Sequence, residues 1–298
     1  MTKKRASHRR RSRSARSTSA RLSPAQLSGL LDQGRRLLIS GEHERAISIL
    51  ERALPHLPRN RQRAEALSDL GMAYGLLKRD EESYRALLEA TQITPDDVRI
   101  WYNFGQTCRG AGRLVQSLRA YERSAALNRD PRLASRIAKE VALARQLVET
   151  ELSVRPPCFT VDNLLAQEDL FLAGVEEMVG RQWDRAADLF RQALALADTI
   201  PQPWGNLGIC LLNLEQYDEA EAALRRALEC DPDYDLARQN LAALAEMRRS
   251  GGRPTVALRD PLDSRPVPQI FYPGTDNAGA GHGRPGSGRQ HPMDEHDD

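Results

Sequence analysis

Catalytic and metal-binding signatures are missing from this sequence. It contains no Gly-x-x-x-x-Gly-Lys phosphate loop, no Gly-x-Ser-x-Gly nucleophile elbow and no His-Glu-x-x-His metal motif. Only four cysteines occur in 298 residues, none in a Cys-x-x-Cys pair, so the usual thiolate zinc spacing is absent. Cys108 and Cys210 suit packing positions, where reduced cysteine acts as a small apolar filler, and Cys158 falls in a proline-containing stretch. Four of the six histidines lie near the termini, and His43 and His56 have no acidic partner at ligand spacing. Glu176 and Glu177 are consecutive, so on a helix they point about 100° apart and do not share a substrate atom. No window approaches 18 apolar residues, the length needed to span a bilayer. These absences lead to the expectation of a non-enzymatic chain without cofactor or metal, outside the membrane.

Charge is distributed unevenly. The first 25 residues carry nine cations and no acid, whereas the sum over the chain is only +2. That head has no aromatic residue to stack on bases and no apolar stretch after it of the kind a targeting sequence requires. A cytoplasmic location is expected. Arg9, Arg10, Arg11, Arg13 and Arg16 could still attract a nucleic-acid backbone through counterion release, or act as a solubilising tail. Residues 1–26 and the Gly- and Pro-rich residues 250–298 are too polar to offset the entropy of ordering and are expected to be disordered tails. Within the second tail, residues 268–272 read Pro-Gln-Ile-Phe-Tyr, a short apolar cluster suited to docking. One expectation is that Ile270, Phe271 and Tyr272 fold back into the apolar groove of the last two repeats and compete with a partner there.

Between the tails a unit of about 34 residues recurs. Ala46, Leu50 and Ala53 share their spacing with Ala186, Phe190 and Ala193, and with Ala220, Leu224 and Ala227. Five units follow: residues 27–60, 64–97, 98–131, 167–200 and 201–234. The second has Ser83 at an alanine position and Lys78 at the turn glycine; the third has Ser117 and Ser124 in place of alanine. Residues 132–151 and 235–249 have helical periodicity and read as capping helices. Residues 152–166, with Pro156 and Pro157, read as a linker dividing three units from two.

Unit five carries Trp204, Leu207, Gly208, Tyr217, Ala220, Leu224, Ala227 and Pro232 at fixed offsets. This pattern, with its counterparts in the other units, resembles the tetratricopeptide repeat (TPR). The resemblance implies an all-α fold: a right-handed α-solenoid of helix-turn-helix TPR units with capping helices. It also implies a concave groove, lined by the first helix of each unit, that binds a peptide or protein. Groove offsets place Arg99, Tyr102, Asn103, Gln106 and Arg109 in a polar anchor set. They place Phe171, Val175, Met178, Val179, Ile209 and Leu212 in an apolar stripe for a partner, unless Phe159, Val161, Leu164 and Leu165 of the linker region, or the first capping helix, cover it. Some TPR domains clamp a terminal carboxylate; here the matching positions hold Leu31, Arg35 and Asp69, with only Arg99 and Asn103 as expected. The reading is an adaptor or scaffold. A nucleic-acid-associated scaffold and a regulatory subunit of an enzyme are the alternatives.

Overall fold

The structure, a computed structural model, describes residues 22–250. Among these it has twelve α-helices, one short 3-10 turn and no strand. Three hairpins come first: α1 (Pro24–Ile39) with α2 (His43–Ala53), α3 (Arg61–Leu76) with α4 (Asp80–Ile93), and α5 (Val98–Gly110) with α6 (Leu114–Leu127). A long single helix follows, α7 (Pro131–Ser153). Two more hairpins, α8 (Val161–Val179) with α9 (Trp183–Leu196) and α10 (Pro201–Asn213) with α11 (Tyr217–Cys230), precede the last helix, α12 (Asp235–Ser250).

Most first helices begin differently from the second ones, α10 with its uncapped start at Ile200 excepted. Ser23, Asn60, Asp97, Asp130 and Thr160 each accept a backbone N–H as side-chain N-caps of α1, α3, α5, α7 and α8. The second helices α2, α4, α6, α9 and α11 have no such bond. They start from tight turns in which one residue is left-handed: Gly41, Lys78, Gly112, Arg181 and Glu215, all at the same place in their hairpins. Each hairpin closes over a glycine. A Cβ on Gly34, Gly71, Gly105, Gly174 or Gly208 would lie 2.6–2.8 Å from Leu50, Leu87, Tyr121, Phe190 or Leu224 of the paired helix. The glycine is what allows the large side chain to fill the crossing.

The first helices α1, α3 and α5 touch in succession, while α2, α4 and α6 make no comparable contact with one another. The stack therefore curves with its first helices on the inner face. One core runs through α1 to α5 around Leu38, Leu50, Leu67 and Leu70; another fills α8 to α12 around Phe190, Leu211 and Leu224.

The helix ends differ from the expected divisions at two places. α1 begins at Pro24, inside residues 1–26, because Ser23 and Gln26 form a capping box. α7 runs to Ser153 and α8 begins at Val161, so most of residues 152–166 is helical. A second capping box, Thr160 with Asn163, starts α8 early. Only residues 154–160 connect the two helices. Arg155 fixes this connection: it is 8% exposed, and its Nε donates to Gln167 Oε1 at 2.8 Å. Gln167 in turn donates to the carbonyls of Ala193 and Ala197 at the end of α9.

Phe159, Leu164 and Leu165, the alternative cover for the apolar stripe, sit elsewhere. They pack with Val115 of α6 and Val148 of α7, closing the first three hairpins instead. Ion pairs surround this plug: Arg113 with Asp169, Arg119 with Asp162 and Arg85 with Glu176, each at 2.8 Å. Glu168 supplies the cap that α6 lacks. Its two carboxylate oxygens accept the Leu114 and Val115 N–H groups at 3.0 and 3.2 Å.

Candidate binding groove

The inner face of the first hairpins is polar and tightly interlocked. On α1, Arg35 Nε donates to Asp69 Oδ2 of α3 at 3.2 Å. Burial pushes the Asp69 carboxyl up to about 6, outweighing the opposite pull of Arg35. Next along the face, Asn103 of α5 is 5% exposed. Its Nδ2 lies 3.3 Å from Ser68 Oγ and 3.3 Å from Met72 Sδ of α3, and its Oδ1 is buried with no hydrogen-bond partner. Asn103 lines a small depression together with Gly71, Met72, Gly75, Leu76, Gln106 and Thr107.

Tyr102 occupies the α5–α7 boundary. Its hydroxyl accepts from Gln106 Nε2 at 3.2 Å and from Arg136 Nε at 3.1 Å, and donates to Glu140 Oε1 at 3.4 Å. Burial first, then the Glu140 charge, raises the phenol above its ordinary pKa. Arg109 Nη1 pairs with the second Glu140 oxygen at 2.5 Å. The Arg136 guanidinium lies 5.4 Å over the Tyr102 ring. Val98, Arg99, Tyr102, Leu133, Arg136 and Ile137 surround a notch between α5 and α7.

The structure thus gathers Arg99, Tyr102, Asn103, Gln106 and Arg109 in one region, although only Arg99 keeps substantial exposure there. The apolar stripe fares differently. Ile209 is 0% and Leu212 3% exposed, so neither is offered to a partner. Phe171, Val175 and Met178 pack on the core of the last two hairpins, with the Phe171 and Phe190 rings 5.7 Å apart. Two hairpins and a final helix form a short stack, against which these three side chains are partly buried. Val179 is the most open of the set, at 82%. Arg9, Arg10, Arg11, Arg13 and Arg16 lie outside the described residues. Among the described residues no group of three or more His, Cys, Asp and Glu side chains could hold a metal. None of their helices is long and apolar enough to cross a membrane.

Two stretches of the sequence match family models described as tetratricopeptide repeat, residues 64–97 and residues 201–234. They correspond to the α3–α4 and α10–α11 hairpins. The chain is a TPR protein. Its fold is the all-α TPR solenoid. No curated protein sequence matches it. Similar solved structures include a crystal structure of MamA protein, 16% identical, covering 70% of this chain and 93% of that one, with a TM-score of 0.31. The TPR2AB domain with pHSP90 from yeast Sti1 is 16% identical, covering 76% and 85%, with a TM-score of 0.37. The P58(IPK) TPR domain is 12% identical, covering 75% and 65%, with a TM-score of 0.40.

Two groove residues of this TPR protein lie on α7, which the sequence presents as a polar-sided cap. Arg136 and Glu140 reach back to Tyr102 and Arg109 on α5. The signal for them is in the repeat register: continuing the 34-residue spacing past residue 131 puts Arg136 and Glu140 at the offsets held by Tyr102 and Gln106 in the preceding unit. α7 therefore also forms part of the inner wall, beyond its role as a cover.

Proposed function

We propose that this TPR protein is a non-enzymatic scaffold that holds an extended segment of a partner protein along α3, α5 and α7. The observation that carries the reading is the half-paired carboxamide of Asn103, buried in the wall of a small depression between α3 and α5. An extended peptide presents unpaired main-chain N–H and C=O groups, and a carboxamide supplies the complement to either. Gln106 and Arg99 extend the polar line beside it, and Met72, Leu76 and Leu133 give alternate side chains an apolar floor. The α8–α10 face offers much less, because Ile209 and Leu212 are already covered.

An array of extended peptides probed with the full chain tests this. Asn103→Leu should weaken the peptides that bind by about tenfold, corresponding to about 1.4 kcal/mol. The melting temperature should change little, since the loss of the two 3.3 Å contacts of Nδ2 is offset by removal of the buried Oδ1 that lacks a partner. Val179→Asp, on the other face, should leave the array unchanged. Equal binding by Asn103→Leu and the unaltered chain would remove the α3–α5 depression from the interaction.

A further inference from the structure

A row of ion pairs runs from α1 to α5. Arg35 of α1 meets Asp69 of α3 through Nε and Nη2, both at 3.2 Å, and the same Nη2 lies 4.0 Å from Glu65. Glu65 pairs with Arg61 at 3.3 Å, Arg61 with Asp97 at 3.0 Å, and Asp97 with Arg99 at 3.4 Å. Three cations thus answer three carboxylates, and the row is neutral when all are ionised. The two signs are not equally exposed. The three arginine side chains are 38–66% exposed, whereas those of Asp69 and Asp97 are 13% and 5% exposed. Solvent therefore meets the cations, while two of the three carboxylates are withdrawn from it.

Asp69 is where this balance can change. Among the described residues its carboxylate bonds only to Arg35. The charges acting on it are Arg35 from α1, Arg99 from α5 and Glu65 on its own helix. The charged contacts that α2 and α4 make with α3 fall elsewhere, Glu51 on Tyr74 and Glu89 on Arg63. Desolvation outweighs both arginines, so the carboxyl sits at about 6 instead of 3.8. A second carboxylate brought to Arg35 from outside is a like charge beside Asp69 and drives it further towards its neutral form. Once Asp69 is neutral, the row holds one cation in excess.

We infer that an acidic side chain of the partner segment seats on Arg35, with Arg99 adding its charge from α5, and that Asp69 takes up one proton as the segment binds. The inference rests on the scaffold reading and adds the chemistry of its partner: an extended segment carrying a carboxylate where it passes α1 and α3. No covalent bond changes; one proton moves from solvent to Asp69, and the charge of the row and its ligand together stays at zero. Donors suffice for both carboxyl groups. A guanidinium offers five N–H groups in a planar fork, and Arg35 turns only Nε and Nη2 towards Asp69. Protonated Asp69 keeps a carbonyl oxygen for Nε, and an asparagine at this position does the same without the proton.

The test titrates the full chain with two peptides blocked at both ends, alternating alanine with glutamate or with glutamine. The glutamate peptide, still largely ionised at about pH 5.5, should bind at least about tenfold more tightly there than at about pH 7.5. Over that interval the protonated share of Asp69 rises from about 3% to about three quarters. Calorimetry in buffers of different ionisation enthalpy should show net proton uptake at the higher pH, a reading that needs no variant. Asp69→Asn should bind the glutamate peptide equally at both pH values and without uptake, and Arg35→Gln should lose the preference for glutamate over glutamine. Absence of glutamate-peptide binding at the lower pH, binding that ignores pH, or a pH dependence retained in Asp69→Asn overturns the proposal. A peptide whose one carboxylate is its free terminus should bind no better than the glutamine peptide; if it matches the glutamate peptide, a chain end replaces the side chain as occupant and the proposal fails. The two readings fail separately. If array peptides weaken in Asn103→Leu but respond neither to glutamate nor to pH, only the acidic seat is wrong. If the glutamate peptide binds with proton uptake while Asn103→Leu changes nothing, the α3–α5 depression is wrong and the seat stands.

Discussion

Single residues set how closely the helices approach, and their neighbours make the consequences measurable. A Cβ on Gly208 would meet Leu224 at 2.6 Å, whereas one on Gly29 would meet nothing within 4 Å. Gly208→Ala should therefore destabilise the chain by about 1–3 kcal/mol through overpacking. Gly29→Ala, in an open stretch of α1, should stabilise it by up to about 1 kcal/mol through helix propensity. Denaturant unfolding of the pair decides whether close packing is the reason for the repeated glycine. At the hairpin turns the argument reverses. Arg181 sits at φ 56°, where Gly41 and Gly112 sit in two other hairpins, and a left-handed L-residue costs about 1–2 kcal/mol. Arg181→Gly should raise stability by about 1 kcal/mol, and unaltered unfolding would mean that its side chain compensates. These glycine and alanine positions are legible from spacing alone. The two serines are only half legible: Ser83 and Ser117 read as small spacers, but their hydroxyls also donate to the carbonyls of Gly71 and Gly105 across the hairpin.

At the scale of elements, helix existence follows from the repeat, and the errors fall where local chemistry competes with it. The capping boxes at Ser23 and Thr160 extend α1 and α8 beyond the repeat register. The cap on α6 has no local signal at all, since Glu168 lies more than fifty residues from the amides it accepts. That cap should make stability depend on pH. Burial raises the Glu168 carboxyl from its usual 4.5 to about 8, although the Leu114 and Val115 amides act in the opposite direction. Between those two values the folded chain holds a proton that the unfolded chain has released, so stability declines as pH rises. The contribution is complete below about pH 4.5 and is lost as pH passes through about 8. Asp69 acts in the same sense at lower pH, between 3.8 and about 6. Glu168→Gln keeps a carbonyl acceptor for α6 and removes the titration. Its unfolding free energy should vary less between about pH 6 and 8 than that of the unaltered chain; an unchanged slope would show that the carboxylate is not penalised in the fold.

Across the whole molecule, the balance of charge separates the two groups of hairpins. Residues 22–153 contain twenty cationic and seventeen acidic side chains, and residues 154–250 contain nine and seventeen. The positive and negative bodies meet through α8, where Asp162, Asp169 and Glu176 face Arg119, Arg113 and Arg85. Yet Arg119, Arg85, Asp162 and Glu176 all keep more than half their side-chain exposure, and pairs so exposed contribute about 0–1 kcal/mol each and weaken in salt. The buried plug is the stronger tie. Leu164 is 1% exposed against Val115 and Val148, and truncation of such a side chain costs about 2–5 kcal/mol. Raising the salt concentration to about 1 M should therefore leave α8 docked, with hydrogen exchange at its first two turns unchanged. Leu164→Ala should accelerate exchange there, and also at the start of α6, where the Glu168 cap depends on the same seat. Exchange over α10 and α11 should stay slow, because the core around Phe190 and Leu224 does not include Leu164. If salt alone releases α8, the charge asymmetry joins the two bodies. If Leu164→Ala loosens α10 and α11 as well, the five hairpins unfold as one cooperative body and the division between them is only one of sequence.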